Sequence, residues 1–413
     1  MFFFYQSIIS FIIILSPIIF LIRVFKNKED PKRFLEKYSL FKKKRPNGNL
    51  VWFHCASVGE TMSIIPIINY LQKNKKIKNI LITTTTVSSA NIIRKFNFKK
   101  LIHQYYPIDH QVIIKKFIIH WRPNVAFFLE AEIWPGMFSL LDKRKIPLII
   151  LNTRLSKRSF EKWMFFKKFA KNIFSKIKYA YPQNQETEFF LKKLNVKKIN
   201  QIGNLKYIDQ TNKKEIKSNK KILKKLLQHK TWVAASIHPG EEDIAGKAHL
   251  LLKKKHKKLI LIIIPRHINN VTKIKNNLEN LGLKVITHSS CRMIAEEADV
   301  YLVDTFGESK NFYKISPSVF LGKSIYHHGG QNPLEAVKYG CNILHGPNIQ
   351  NFKDVYKHLE KLKISKKISS IKTLANSVTF KKKHSNSFKI KKIGKKIYRE
   401  TIKELNIHIN QCI

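Results

Sequence analysis

Short apolar runs that alternate with amphipathic, helix-spaced stretches constrain this chain more than any other feature. Leu50–Phe53, Ile80–Thr83, Val125–Leu129 and Pro147–Leu151 are each followed by polar residues and then by a helix-like segment. That alternation predicts parallel sheet with crossover helices. A second series repeats it at Thr231–Ala235, Lys258–Ile264, Lys284–Ile286, Val300–Val303 and Ser318–Leu321. Two α/β domains follow, and 413 residues of which 44% are hydrophobic can supply both cores. The polar, lysine-rich stretch from Lys206 to Lys230 is where one domain hands over to the other. The expected division is an N-terminal segment 1–25, a first domain 26–210 and a second domain 211–413. The lysine-rich end from Lys363 reads as terminal helices on the surface.

The N-terminal segment carries its own signal. Phe2 to Ile22 holds no charged side chain, while Arg23, Lys26, Lys28, Lys32 and Arg33 follow it. As a helix it would extend roughly 30 Å, the thickness of a hydrocarbon core. A cleaved signal peptide has its basic residues first, so an uncleaved anchor is expected. The positive-inside rule then puts the remaining chain on the cytoplasmic side of the membrane. Pro17, Gln6, Ser7 and Ser10 interrupt the apolar run, which leaves an interfacial helix as the alternative.

A net charge of +51 suits an anionic surface or substrate. Lysine is scattered through almost every segment, however, and no zinc-finger, basic-zipper or aromatic RNA-binding signature accompanies it, so no nucleic-acid partner is expected. Cys55, Cys291, Cys341 and Cys412 form no CxxC pair, and the histidines show no HExxH spacing. Neither a disulfide framework nor a metal site is expected. GxGxxG and Walker loops are absent from the sequence, which disfavours nicotinamide enzymes and P-loop ATPases.

Motifs stand where strands should end, the ligand-binding edge of open α/β sheets. In the first half they are His54–Glu60 (HCASVGE), the Thr83–Thr86 run, YPID at 106–109, EAEIWP at 130–135 and NTRLS at 152–156. In the second they are ASIHPGEE at 235–242, Pro265-Arg266-His267, Phe306-Gly307-Glu308 and GGQNPLEA at 329–336. Glu60 sits in the first turn of a predicted helix, where macrodipole and free amides favour its ionised form at neutral pH. That placement alone allows a first-turn acid worth about a few tenths of a kcal/mol to the helix. Glu130 and Glu132 would share a side if the strand before them continued. Arg266 and His267 can donate to a phosphate or a base edge, and Gly307 would let the backbone approach a nucleotide. Asn332-Pro333-Leu334-Glu335 resembles a helix start with Asn as cap and Pro at the first position.

These motifs, with IGNLKYID at 202–209, occur in the order expected of 3-deoxy-D-manno-octulosonic acid (Kdo) transferases, and the chain resembles that family from its N-terminal helix to about Phe352. The resemblance implies a GT-B glycosyltransferase fold, two Rossmann-like domains facing a cleft. It implies transfer of Kdo from CMP-Kdo to a lipid A precursor, with inversion and without a cofactor or metal, at an inner membrane rich in anionic lipid. Glu60 matches the family's general base, and Glu130 and Lys206 match groups that assist the transition state. Arg266, His267, Phe306, Gly307, Glu308, Asn332, Pro333, Leu334 and Glu335 match its CMP-binding stretches. The chain departs from the family pattern at Val87-Ser88, Ile268-Asn269-Asn270, Gly322-Lys323-Ser324 and Gln331, where a glycine, a proline and arginine, a double glycine and a histidine are usual. Alternative readings are a GT-B transferase or epimerase acting on another nucleotide sugar, and a basic membrane-binding protein without activity.

Overall fold

The computed structural model describes residues 1–209, 220–290 and 298–413. Cys291 and the expected 210/211 boundary lie outside them. The chain forms two compact units, Met1–Gln210 with Gly394–Ile413, and Thr211–Ile393.

The first unit is built on a six-stranded sheet of β1 (Leu50–Cys55), β2 (Asn79–Thr84), β3 (Leu101–Tyr105), β4 (Val125–Leu129), β5 (Leu148–Thr153) and β6 (Tyr179–Pro182), in the order β3-β2-β1-β4-β5-β6. Each neighbouring pair is parallel. Every residue of β1, β2, β4 and β5 is buried, which is why these strands read as continuous apolar runs rather than as alternating ones. Trp52, Phe117, Trp121, Phe128 and Phe138 fill the core on one face. The chain reverses its direction of winding beside β1, so the ends of β1 and β4 flank the switch point where open sheets bind ligands.

Among its described residues the second unit has seven parallel strands: β7 (Lys230–Ile237), β8 (Leu259–Pro265), β9 (Val285–Thr287), β10 (Val300–Leu302), β11 (Ser318–Leu321), β12 (Asn342–His345) and β13 (Ser365–Lys367). Their order is β13-β12-β11-β7-β8-β10-β9. Trp232, Leu261, Ile263, Leu302 and Phe320 belong to its core.

The four strands absent from the sequence reading are β3, β6, β12 and β13. Three of them are sheet edges. An edge strand has a neighbour on one side only and tolerates polar residues, as in the LIHQY of β3 and the SKK of β13, so it carries no apolar run to detect. The C-terminal end differs from expectation as well. It begins with a strand, and the last helix, His384–Cys412, does not simply ride on the surface of the second unit. Its residues 394–413 pack on the first unit through Ile397, Thr401, Leu405 and Ile409, an i, i+4 stripe that is almost wholly buried. Tyr181 donates to Glu404 at 2.8 Å and Asn406 donates to Tyr70 at 2.9 Å on the same seam.

Candidate active site

The end of β1 feeds directly into the helix Val58–Leu71, with Ser57 as its cap. Glu60 is the third helical residue, and its carboxylate turns back to the cap. One oxygen accepts the Ser57 hydroxyl at 2.7 Å and the other accepts the Ala56 N–H at 2.8 Å. Burial nevertheless raises its pKa to about 7, the nearby charges of Glu130 and Glu132 adding to the rise while the bonds from Ser57 and Ala56 oppose it. The expectation that a helix start keeps this group fully ionised at neutral pH is therefore corrected. Desolvation and two neighbouring carboxylates outweigh the amides, and Glu60 stands near half ionisation there.

Glu130 follows the last residue of β4 and adopts a left-handed backbone with φ of 52°. Such a conformation in a non-glycine residue costs on the order of 1–3 kcal/mol and persists where the surroundings fix it. The backbone is held by the Glu130 N–H to Leu151 carbonyl bond at 3.1 Å, and the side chain by a 2.6 Å ion pair from Lys206 Nζ to Glu130 Oε1, both side chains nearly nine-tenths buried. The turn, not strand alternation, brings Glu130 and Glu132 together near Glu60. Lys206 lies in the short 3-10 turn Leu205–Tyr207, capped by the Asn204 side chain, which accepts the Lys206 N–H at 2.9 Å. The lysine stem runs past Gly59 at the start of the Glu60 helix.

Two groups of residues hold this arrangement; the sequence reading quoted most of them within motifs but gave them no role, and it did not mention Gln183. Asn152, in the NTRLS motif, accepts the Leu205 N–H at 2.9 Å and aims its amide at Glu130 from 3.4 Å. Gln183 links the Asn152 carbonyl to Asn204, at 2.9 Å each. The left-handed φ of 54° at Asn152 marks it as a fixed corner, but a sequence shows no φ. The second group supports Glu132, which accepts from Trp134 at 3.0 Å and lies 3.3 Å from His54 Nε2. His54 Nδ1 meets the Thr83 hydroxyl, which also accepts from Trp52. Burial lowers the His54 pKa, so the ring is neutral. The same hydroxyl donates to the Phe53 carbonyl at 3.4 Å, so Thr83 ties Trp52, His54 and the β1 backbone together behind Glu132.

In the second unit the quoted stretches leave the same edge of the sheet. Arg266 and His267 are exposed just after β8, with the Arg266 N–H held by the Ile237 carbonyl at 3.0 Å. Phe306 is 77% exposed, available to a ligand ring, and Gly307 has φ of 91°, which a side chain would strain. Glu308 accepts from Thr305 at 2.9 Å and lies 3.2 Å from His288. The helix of Leu334–Val337 is a single turn preceded by Pro333, one residue later than expected, and the Asn332 side chain accepts the Leu334 N–H at 3.1 Å. Leu334 is buried, and Glu335 lies 3.9 Å from Lys310, on the helix that follows Glu308.

The HPGEE stretch has a structural task. Glu241, fully buried at the start of the helix Glu241–Lys253, accepts four backbone N–H groups, from His238 and Lys323 on one oxygen and from Ser324 and Ile325 on the other, at 2.7–3.1 Å. It thereby fastens the loop after β11 to the end of β7. Gly322 is required there, because an added Cβ would lie 2.4 Å from the Ser236 carbonyl oxygen. Lys323, which replaces the family's second glycine, sits at a left-handed φ of 56°.

A sequence pattern described as 3-Deoxy-D-manno-octulosonic-acid transferase (kdotransferase) matches residues 32–209. The chain is 30% identical to a 3-deoxy-D-manno-octulosonic acid transferase of Rickettsia bellii over 92% of its own length and 91% of that protein's. It is 31% identical to the "Probable 3-deoxy-D-manno-octulosonic acid transferase, mitochondrial" of Arabidopsis thaliana, covering 82% of this chain and 78% of that one. Its fold is similar to the crystal structure of the glycotransferase of kitacinnamycin, with a TM-score of 0.53 at 10% identity, over 89% of this chain and 100% of that one. With two parallel α/β units of GT-B type and a match to relatives along most of its length, the chain belongs to the 3-deoxy-D-manno-octulosonic acid transferase family of glycosyltransferases.

Proposed function

We propose that this Kdo transferase takes Kdo from CMP-Kdo and joins it to a lipid A precursor with inversion at the anomeric carbon, Glu60 being the general base. The observation that carries the reading is the raised pKa of Glu60, about 7, beside the Glu130–Lys206 ion pair. A base serves best when its pKa lies near the working pH, since it is then both available and basic enough to take an alcohol proton. Glu60 accepts the proton of the acceptor hydroxyl as that oxygen bonds to the anomeric carbon, and the bond from that carbon to the CMP phosphate oxygen breaks. The leaving phosphate is already a stable anion and needs no strong acid. Lys206, oriented by Glu130, supplies positive charge to the carboxylate or phosphate of the donor as charge develops.

CMP is assigned to the second unit. Arg266 and His267 donate to its phosphate, Phe306 and Gly307 give ring and backbone contacts, and Glu308 and Glu335 accept from ribose hydroxyls. Asn332, Pro333 and Leu334 form the turn that presents Glu335.

The test is transfer of radiolabelled Kdo, from CMP-Kdo generated in situ, to tetraacylated lipid A precursor. Wild-type protein should give product, and Glu60→Gln should lower turnover by about 10²–10⁴-fold while leaving CMP affinity in place. Full activity in Glu60→Gln would remove the base assignment; no product from wild type would remove the acceptor and donor assignments.

A further inference from the structure

The N-terminal helix Phe2–Phe25 is long and apolar enough to cross a bilayer, with a mean hydropathy of 2.7. Its contacts point elsewhere. Gln6, Ser16 and Phe20 are buried and Phe2, Tyr5, Ile9, Ile13, Arg23 and Val24 are half-buried, which makes one stripe from the first turn to the last. Of the residues that interrupt the apolar run, Gln6 is buried on this stripe and Ser10 is half-buried, while Ser7 and Pro17 are exposed. Tyr5 donates to Asp109 at 2.7 Å, and Gln6 donates to the Asp109 carbonyl at 3.3 Å and accepts the Gln111 N–H at 3.1 Å. Ser16 bonds to the Tyr38 hydroxyl, and Phe20 packs edge-on against Tyr38 at 5.6 Å. Arg23 pairs at 3.1 Å with Glu29, which also holds Lys37 at 2.8 Å.

The helix is therefore fastened along its whole length to a folded surface containing Asp109, Glu29 and Lys37. A helix so fastened could cross a bilayer only by drawing those charged groups and irregular backbone into hydrocarbon, which membranes do not accommodate. Its opposite face is exposed and apolar at Phe3, Phe11, Ile14, Ile18, Leu21 and Phe25, with Ser7 the one polar side chain among them. Phe3, Ile14 and Phe25 are eleven residues apart in succession, close to three full turns, and so share one line on the helix. Lys26, Lys28 and Lys32 are exposed just past its end, and Lys115 and Lys116 are exposed on the helix that begins at Gln111, beside its start. An apolar face flanked by lysine matches the boundary between anionic headgroups and acyl chains.

We propose that Phe2–Phe25 lies in the plane of an anionic bilayer, docked on the first unit, and inserts Phe3, Ile14 and Phe25 into one leaflet without crossing it. This stands independently of the transfer assignment. The helix also touches the site framework, because the Asp109 carboxylate that holds Tyr5 accepts the Gly136 and Met137 N–H groups, each at 2.7 Å, on the helix just past the EAEIWP turn. The membrane leaflet is thus one side chain away from the segment that carries Glu130.

The test places a nitroxide at Phe3→Cys, Ile14→Cys or Phe25→Cys in full-length protein bound to phosphatidylethanolamine–phosphatidylglycerol vesicles. Cys291 and Cys412 are replaced by serine, Cys55 and Cys341 being buried. Immersion depth is read from oxygen and nickel-chelate accessibility. An in-plane helix puts all three labels at a common depth of about 5–10 Å. A span would put Ile14 deepest, with Phe3 and Phe25 each about 16 Å nearer water, and would overturn the proposal; so would three labels as accessible to nickel chelate as in free protein. Replacing phosphatidylglycerol by phosphatidylcholine should weaken vesicle binding at least tenfold, and unchanged binding would overturn the anionic assignment.

Discussion

Glu60 carries a cost in stability that its proposed role as a base would put to use. Its carboxyl is raised to about 7 in the folded chain, against about 4.3 when unfolded, so the native state binds the extra proton between those values. The stability this group contributes is full below about pH 4 and lost as pH rises through 7, amounting to of order 3 kcal/mol above that. Glu60→Gln keeps an acceptor for Ala56 and a partner for Ser57. Urea denaturation at pH 8 should find the variant more stable than wild type, and at pH 4 the difference should vanish. If Glu60 is the proposed base, the rate of transfer should fall tenfold per pH unit below about 7, since only its ionised form takes a proton; an inflection near 4.5 would show that burial does not tune it. Glu130 and Lys206 behave as a pair. Removing either partner strands the other in a nearly buried place, so Glu130→Gln and Lys206→Met should each cost about 2–3 kcal/mol, and the double variant clearly less than their sum. A double-mutant cycle by thermal unfolding measures that coupling.

Among elements, the loops after strands carry most of the information that motifs compress. HPGEE reads as a candidate ligand loop, yet its first glutamate is wholly used in binding backbone. Glu241→Ala leaves four N–H groups without their acceptor and should cost about 3–5 kcal/mol, and CMP affinity measured calorimetrically should fall as the loop after Gly322 loosens. Glu241→Gln, which keeps one acceptor oxygen, should fall between the two. The left-handed corners at Glu130 and Asn152 follow the same logic. Motif order located both segments, but that Asn152 joins them to the Lys206 turn follows from three strands and a 3-10 turn meeting at one sheet edge.

The last helix couples chain ends at the scale of the molecule. Gly394 approaches so closely that an added Cβ would lie 2.3 Å from the carbonyl oxygen of Tyr207, the neighbour of Lys206. The C-terminal segment is therefore a brace for the turn that carries Lys206. A chain ending at Ile393 should lose the buried stripe of Ile397, Leu405 and Ile409, lower the melting temperature of the first unit by several degrees or more and reduce turnover, while CMP binding is retained. Calorimetry with a CMP titration separates these effects, and unchanged melting would show that the brace is dispensable.

The central strands and the parallel α/β class were legible in the sequence because strands buried on both faces must be apolar throughout. The family was legible because its motifs recur in order. Three of the four edge strands, β3, β6 and β13, were not, since one unpaired side tolerates polar residues, and the C-terminal helix was not, since nothing local in an amphipathic helix says which surface it covers. The same is true of the residues that interrupt the N-terminal apolar run. Gln6 looked like a flaw in a membrane span, and Tyr5 and Ser16 drew no notice; only their tertiary partners reveal the stripe by which the helix is docked. Sequence placed a carboxylate at Glu60, but its proton affinity was decided by what surrounds it: burial and two other carboxylates, brought there by left-handed turns that no spacing rule encodes.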